Sequence, residues 1–227
     1  MNKFFSKGRR FFVLLLFCLS FSSALLHAYP VAPTGEKLGE FLDSLEVTKR
    51  WLPNRYVDWT TGASLGKYRD GYGTHCSTFV AAAASKLGVY ILNPEDQTGL
   101  LANAQNRWLQ SQGAKYGWAV VDSHVTAQKI ANQGCLVVGS YANPNWRRPG
   151  HIVIIRPSSK PNEEIATRGP QIIQAGKKNY NSTTLSKAFR HPQAAFRKHT
   201  LVYYAHDTPF CRLVVQKDRG HSESKQL

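Results

Sequence analysis

The feature that most constrains the fold is a change of hydrophobic period along the chain. In residues 76–88 alanine is frequent, the larger apolar side chains recur at helical spacing and Gly88 ends the pattern, which predicts a helix. Beyond residue 134 the apolar residues form short continuous runs, which are typical of buried strands. These runs are 135–139, 150–157, 171–176 and 201–204. Helices followed by strands predict an α+β fold, with N-terminal helices packed on an antiparallel β-sheet.

The remaining segments complete this expected organisation. Helical spacing predicts a short helix within residues 29–50, a second segment at 97–113 and a third at 125–132. Weak periodicity predicts a long irregular segment at 51–75, and charge with proline predicts an exposed loop at 156–170. We therefore expect one domain over residues 29–216, with a helical insertion at about 97–132 and a polar tail at 217–227.

The N-terminal segment, residues 1–28, has the pattern of an export signal. Four basic residues precede a nearly continuous apolar run from Phe11 to Ala24, and Ala28 offers a small residue at the cleavage point. The alternative is an uncleaved N-terminal anchor, although the apolar stretch is short for a membrane span. No later run is long enough to cross a bilayer. A secreted or periplasmic protein of a bacterium is thus expected, with no stable membrane span after cleavage.

The chain is strongly basic, with 29 Lys and Arg against 14 Asp and Glu and a formal charge of +15. Without residues 1–28, which hold four of the basic residues, the charge is +11. An exported protein with this charge is expected to meet an anionic partner, such as an acidic cell-wall polymer, an anionic lipid or a nucleic acid. Charge alone does not choose among these partners, and it is also compatible with a role in solubility only.

Cysteine usage points to one thiol with a special environment. Cys18 lies within the signal, which leaves Cys76, Cys135 and Cys211, an odd number for an oxidising compartment. The simplest arrangement is one disulfide and one free thiol. If Cys135 pairs with Cys211, then Cys76 is the free thiol; three buried thiols are the alternative. The scattered cysteines have no zinc-site spacing, and no acidic cluster suggests calcium, so neither a metal nor a cofactor is expected.

Cys76 stands at the start of the predicted alanine-rich helix. A helix N-terminus favours thiolate over thiol, and its backbone N–H groups can stabilise an oxyanion. Such a nucleophile needs an imidazole and a polar group that orients the imidazole. His151, at the edge of a predicted strand, is the candidate base, and Gln174 at the end of the following strand is the candidate orienting group. A buried structural cysteine beside an unrelated histidine is the alternative.

These motifs resemble those of the NlpC/P60 and CHAP superfamily. The resemblance rests on Cys-Ser-Thr-Phe-Val, Gly-Cys-Leu-Val-Val, Gly-His-Ile-Val-Ile-Ile and Ile-Ile-Gln-Ala-Gly in this order, within roughly residues 68–190. It implies a papain-like fold and a thiol-dependent peptidase or amidase of bacterial cell walls. It also implies that Cys76 is the nucleophile, His151 the base and Gln174 the third member of the triad.

Four further residues are candidates for substrate binding. Tyr68 or Tyr72 is the candidate for a second oxyanion donor upstream of the thiol, although both are equally compatible with packing on the helix. Trp146 is a candidate for stacking on a glycan, and core packing is its alternative. Arg147 is a candidate for meeting a substrate carboxylate, and a solvated loop position explains it equally well.

Three functional hypotheses follow. The leading one is an exported, monomeric hydrolase that cuts an amide bond in the stem peptide of peptidoglycan, as an endopeptidase or an N-acetylmuramoyl-L-alanine amidase, through a thioester. The second is a catalytically degenerate protein of the same fold that binds the cell envelope. A nucleic-acid binder is not expected, because the signal would remove the chain from intracellular nucleic acid and its basic residues form no single run.

Overall fold

The computed structural model describes residues 28–68, 73–96, 101–145, 147–189 and 192–213. The described part of the chain is a mixture of helices and antiparallel sheets, which confirms the α+β class. The expected signal peptide, apart from Ala28, and the expected polar tail lie outside the described residues.

Seven α-helices and eight strands are present in the described residues. The helices are α1 (Pro33–Ser44), α2 (Cys76–Lys86), α3 (Leu101–Ser111), α4 (His124–Asn132), α5 (Asn162–Arg168), α6 (Leu185–Ala188) and α7 (Pro192–Arg197), with a short 3₁₀ helix at Gly113–Tyr116. The strands are β1 (Arg55–Val57), β2 (Ser64–Lys67), β3 (Ala119–Val121), β4 (Leu136–Tyr141), β5 (His151–Ile155), β6 (Gln171–Gln174), β7 (Tyr180–Thr184) and β8 (Leu201–His206).

Six strands form the main sheet in the order β3-β8-β4-β5-β6-β7, and each neighbouring pair is antiparallel. The sheet has an apolar layer on each face, so its central strands are covered on both sides. In β5 the alternation is direct, since Ile152 and Ile154 belong to one core cluster while Val153 and Ile155 belong to the other. Double burial explains why these strands appear in the sequence as continuous apolar runs rather than as alternating patterns.

Helix α2 packs across β5 on the first of these faces. Phe79, Val80 and its four consecutive alanines, Ala81–Ala84, are at most 2% exposed. Alanine both favours the helix and lets it approach the sheet closely, because its side chain adds little thickness. The alanine-rich segment is therefore a central core helix, and its N-terminal end meets the start of β5.

Two segments differ from the sequence expectation. Residues 51–75, expected to be irregular, contain the antiparallel hairpin of β1 and β2, whose short and mostly exposed strands leave no hydrophobic period to detect. The segment 156–170, expected to be exposed, contains α5. Ile165 in this helix and Lys160 before it are buried, with exposures of 1% and 8%. Pro161 before α5 and the acidic residues of its first turn are helix-start signals that the segment's overall polarity obscured.

The C-terminal part of the described chain is attached to the sheet by a disulfide. Cys135, directly before β4, is bonded to Cys211, which lies five residues beyond β8. The hydroxyl of Thr208 donates a hydrogen bond of 2.8 Å to the carbonyl of Gly134 in the same region. Cys76 is the free cysteine among the described residues. None of the described helices combines the length and apolar character that a membrane crossing requires.

Candidate active site

Cys76 is the first residue of α2, and its side chain is 5% exposed. His75 precedes it as the N-cap without a side-chain capping bond; its own Nε2 lies 2.9 Å from the carbonyl oxygen of Arg55 instead. The first backbone N–H groups of a helix have no partner within the helix, and the helix dipole places positive charge there. The position of Cys76 therefore favours negative charge on its sulfur.

His151 is the first residue of β5, and its imidazole lies between Cys76 and Gln174. Its Nε2 is 2.8 Å from Oε1 of Gln174, and its ring is close enough to the Cys76 side chain for the two to interact electrostatically. Because Nε2 is engaged with Gln174, the nitrogen that remains for Cys76 is Nδ1. A protonated imidazole in this position donates one N–H to the sulfur and the other to the amide oxygen.

Gln174 is the last residue of β6, and the sheet register explains why it reaches His151. Strands β5 and β6 are antiparallel, with Ile154 opposite Ile173, so the end of β6 lies beside the start of β5. The Nε2 of Gln174 donates a hydrogen bond of 3.0 Å to the carbonyl of Lys178. This bond sets the orientation of the amide, so its oxygen faces the imidazole. Gln174 is thus built to hold the ring in place.

The turn after Gln174 supports this contact and was not singled out from the sequence. A Cβ at Gly176 would lie 3.2 Å from Nε2 of Gln174 and 3.6 Å from Cε1 of His151, so the backbone covers both side chains closely. The Gly176 N–H donates to Oδ1 of Asn179, and Nδ2 of Asn179 donates to three carbonyls between Val47 and Trp51. Asn179 therefore fastens the turn to the N-terminal region. The only sequence signal was the Gly-Lys-Lys-Asn run.

The electrostatics of Cys76 and His151 favour an ion pair. Burial by itself raises the pKa of the Cys76 thiol, but the charge and hydrogen bond of His151 and backbone N–H groups outweigh burial, so the pKa is lowered. Burial likewise lowers the pKa of His151, but the charge of Cys76 and hydrogen bonds to Cys76 and Gln174 outweigh it, so that pKa is raised. Both shifts favour thiolate and imidazolium together.

A prediction about pH follows from these directions. Alkylation of Cys76 by iodoacetamide is expected to titrate below the ordinary range of a free thiol, because only the thiolate reacts and its pKa is lowered. The measurement is the alkylation rate between pH 5 and 9, followed by mass spectrometry. The same protein in denaturant is the matched control, since unfolding removes His151 from the sulfur. Identical titration of the folded and unfolded thiol would contradict the ion pair.

The site opens into a cleft of about 840 Å³ whose lining includes His151 and Gln174. The other lining residues are Gly73, Thr74, Tyr141, Pro149, Gly150, Gly176, Lys177, Lys178, Tyr180, Lys187, Ala188, Phe189 and Ala195. The ring of Phe189 packs against His151 with centroids 4.9 Å apart. Apart from His151, the charged side chains in this lining are lysines, and no Asp or Glu of the described residues contributes to it.

The residues expected to bind substrate have different positions. Tyr68 contacts Gly73, where a Cβ would overlap its ring, and it packs edge-to-face on Tyr56 with centroids 4.3 Å apart. It therefore supports one border of the cleft. Arg147 is exposed on the loop leading to Gly150 and is not among the described residues that line the cleft. Tyr72 and Trp146 lie outside the described residues.

Several cleft residues were not predicted from the sequence. Tyr180 lies in β7, Lys187 in α6, and Phe189 directly after α6. These segments have no clear pattern of their own in the sequence. His124, outside the cleft, is buried: it is 8% exposed, and its Nδ1 is 2.6 Å from the Tyr203 hydroxyl. The polar residues around His124 in the sequence concealed its packing against β8. Burial lowers the pKa of His124.

Among the described residues no group of three or more His, Cys, Asp or Glu side chains is placed to hold a metal ion. No protein-family model matches this chain, and no curated protein matches it significantly.

Proposed function

We propose that this protein is an exported, thiol-dependent amide hydrolase with a papain-like arrangement of Cys76, His151 and Gln174. The observation that carries the proposal is the imidazole of His151, whose Nε2 is hydrogen-bonded to Gln174 and whose ring interacts electrostatically with the Cys76 side chain. A nucleophile, a base and an orienting group within hydrogen-bond reach are the parts that covalent acyl transfer requires. In this proposal Gln174 is a positioning residue, because it acts through His151.

The proposed reaction has two halves. The Cys76 thiolate attacks the amide carbonyl carbon, a C–S bond forms, and the carbonyl electrons move to oxygen. When this intermediate collapses, the C–N bond breaks and His151 gives its proton to the departing amine, which leaves a thioester. His151 then takes a proton from water, the hydroxide attacks the thioester, and the Cys76 thiolate departs.

The oxyanion of each intermediate needs hydrogen-bond donors. Cys76 is the first residue of α2, so its own backbone N–H has no partner within the helix and lies at the positive end of the helix dipole. We assign this N–H as the first oxyanion donor. The residues at the Gly73–Thr74 border of the cleft are the source of the second donor in this proposal, and Tyr68 supports that border.

The proposed substrate is the stem peptide of bacterial peptidoglycan. The support is the resemblance of four ordered motifs to the NlpC/P60 and CHAP superfamily, together with the export pattern of residues 1–28. A basic protein whose cleft is lined by lysines is also suited to acidic wall material. The bond is either the muramoyl–alanine amide or a peptide bond within the stem.

The test is digestion of purified peptidoglycan, with the released fragments identified by mass. Fragments with new amino termini or freed glycan are expected from the untreated protein. Protein blocked with iodoacetamide is the control, because Cys76 is the free cysteine of the described chain and Cys135 and Cys211 are held in the disulfide. Absence of fragments across several wall types would contradict the proposal, and envelope binding without catalysis would then be the leading hypothesis.

A further inference from the structure

Two lysines converge on one tyrosine in the wall of the cleft. The Nζ atoms of Lys178 and Lys187 lie 5.5 and 5.0 Å from the ring centroid of Tyr180. All three residues line the cleft that contains His151. Two positive charges that belong to different elements, the turn before β7 and helix α6, therefore lie within 5.5 Å of the centre of one ring.

These charges are not neutralised by the described protein. Neither Lys178 nor Lys187 forms an ion pair with a carboxylate among the described residues. Both residues are exposed. Lys49 and Lys160, by contrast, each form an ion pair with a glutamate. Two like charges at one ring repel each other, and an anion beside Tyr180 would relieve that repulsion.

The lysine pair is connected to the reactive side chains by short stretches of chain. The carbonyl of Lys178 accepts the hydrogen bond that orients Gln174, and Gln174 contacts His151. Lys187 lies two residues before Phe189, whose ring packs on His151. A molecule with an anionic group at Tyr180 would therefore occupy the cleft that His151 and Gln174 line.

We propose that Lys178 and Lys187, brought together by Tyr180, bind a carboxylate of the substrate, so that the enzyme selects amides of acidic peptides. This inference rests on the proposed function, since it names the substrate class of the same site. The carboxylate accepts hydrogen bonds from the two ammonium groups, while the amide lies toward Cys76 and His151.

The test compares two reagents that differ only in this charge. N-(bromoacetyl)-L-alanine carries a carboxylate, and N-(bromoacetyl)-L-alaninamide carries a neutral amide in its place. With either reagent the Cys76 thiolate displaces bromide and forms a thioether. We expect the acid to label Cys76 about fivefold faster than the amide at low ionic strength, from two solvent-exposed charge pairs of modest strength. The preference is expected to decline as salt is added.

Variants show which charges are responsible. Replacing both residues (Lys178→Gln with Lys187→Gln) is expected to bring the acid-to-amide ratio close to one, whereas Lys178→Arg with Lys187→Arg is expected to keep it. The matched control is Lys37→Gln with Lys115→Gln, which removes the same charge at exposed positions outside the cleft lining. The ratio is used because it cancels any change in the thiol's own reactivity.

The outcomes separate this inference from the function on which it rests. Labelling by both reagents with the same ratio in the wild type and the Lys178→Gln/Lys187→Gln variant would overturn the carboxylate site while leaving a reactive thiol. Failure of both reagents to label Cys76 would overturn the proposed function, and the carboxylate site with it. A ratio lost in the Lys37→Gln/Lys115→Gln control as well would show that net charge, rather than these two lysines, is responsible.

Discussion

Replacing Cys76 with alanine is expected to lower amide hydrolysis on the order of 10⁴-fold or more, because the proposed reaction forms a bond to its sulfur. Replacing His151 with alanine is expected to lower it by roughly 10³- to 10⁴-fold, since the imidazole both holds the thiolate and protonates the leaving amine. The measurement is the rate of fragment release from peptidoglycan under reducing conditions.

The two variants are also expected to differ in thiol chemistry. His151→Ala keeps the sulfur but removes the charge and hydrogen bond that lower its pKa, so its alkylation is expected to shift to higher pH. His199→Asn, at an exposed position, is the matched control and is expected to retain activity and the wild-type alkylation profile. Wild-type turnover in either Cys76→Ala or His151→Ala, in a protein with an unchanged melting temperature, would contradict the mechanism.

Removing the disulfide is expected to produce the largest loss of stability. Cys135 and Cys211 are 76 residues apart in sequence, and closing a loop of this length raises the free energy of the unfolded chain by about 4.5 kcal/mol in the chain-entropy description. For a chain of this size that loss corresponds to a drop in Tm of roughly 10 °C. The variant is Cys135→Ala with Cys211→Ala, which leaves no unpaired thiol from the bridge.

The measurement is thermal unfolding followed by circular dichroism. Cys76→Ala is the matched control, because it removes a buried cysteine while retaining the disulfide, and a much smaller change in Tm is expected. The wild type unfolded in the presence of a reducing agent is expected to behave like the variant lacking both bridge cysteines. A Tm within about 2 °C of wild type for that variant would show that the bridge does not stabilise this fold.

Elements with a strong pattern of their own were predictable. The helix beginning at Cys76 has a dense run of alanines and a glycine stop, and α2 spans Cys76–Lys86. The predicted strands at 135–139 and 150–157 correspond to β4 and β5, whose residues form continuous apolar runs because the sheet is covered on both faces. Hydrophobic burial imposes these patterns locally, so they can be detected without knowing what packs against them.

Elements whose stability comes from distant contacts were not predictable. Strand β7 has little apolar pattern and β3 is only three residues long; their neighbours β6 and β8 supply the hydrogen bonds that order them. His124 is surrounded by polar residues in sequence, but it is buried against Tyr203, which is 79 positions away. A burial that depends on such separated residues leaves no local periodicity.

The same distinction between local pattern and distant contact applies to the candidate site. The sequence by itself determined which side chains are suited to the chemistry: a cysteine at a helix start, a histidine at a strand start and a glutamine at a strand end. Only the tertiary structure decided that the β5–β6 register brings Gln174 to His151, that α2 crosses β5 so that Cys76 reaches the imidazole, and that Lys178 and Lys187 meet at Tyr180. The physical reason is that residue type sets chemical capacity, whereas proximity depends on sheet register and packing between segments far apart in the chain.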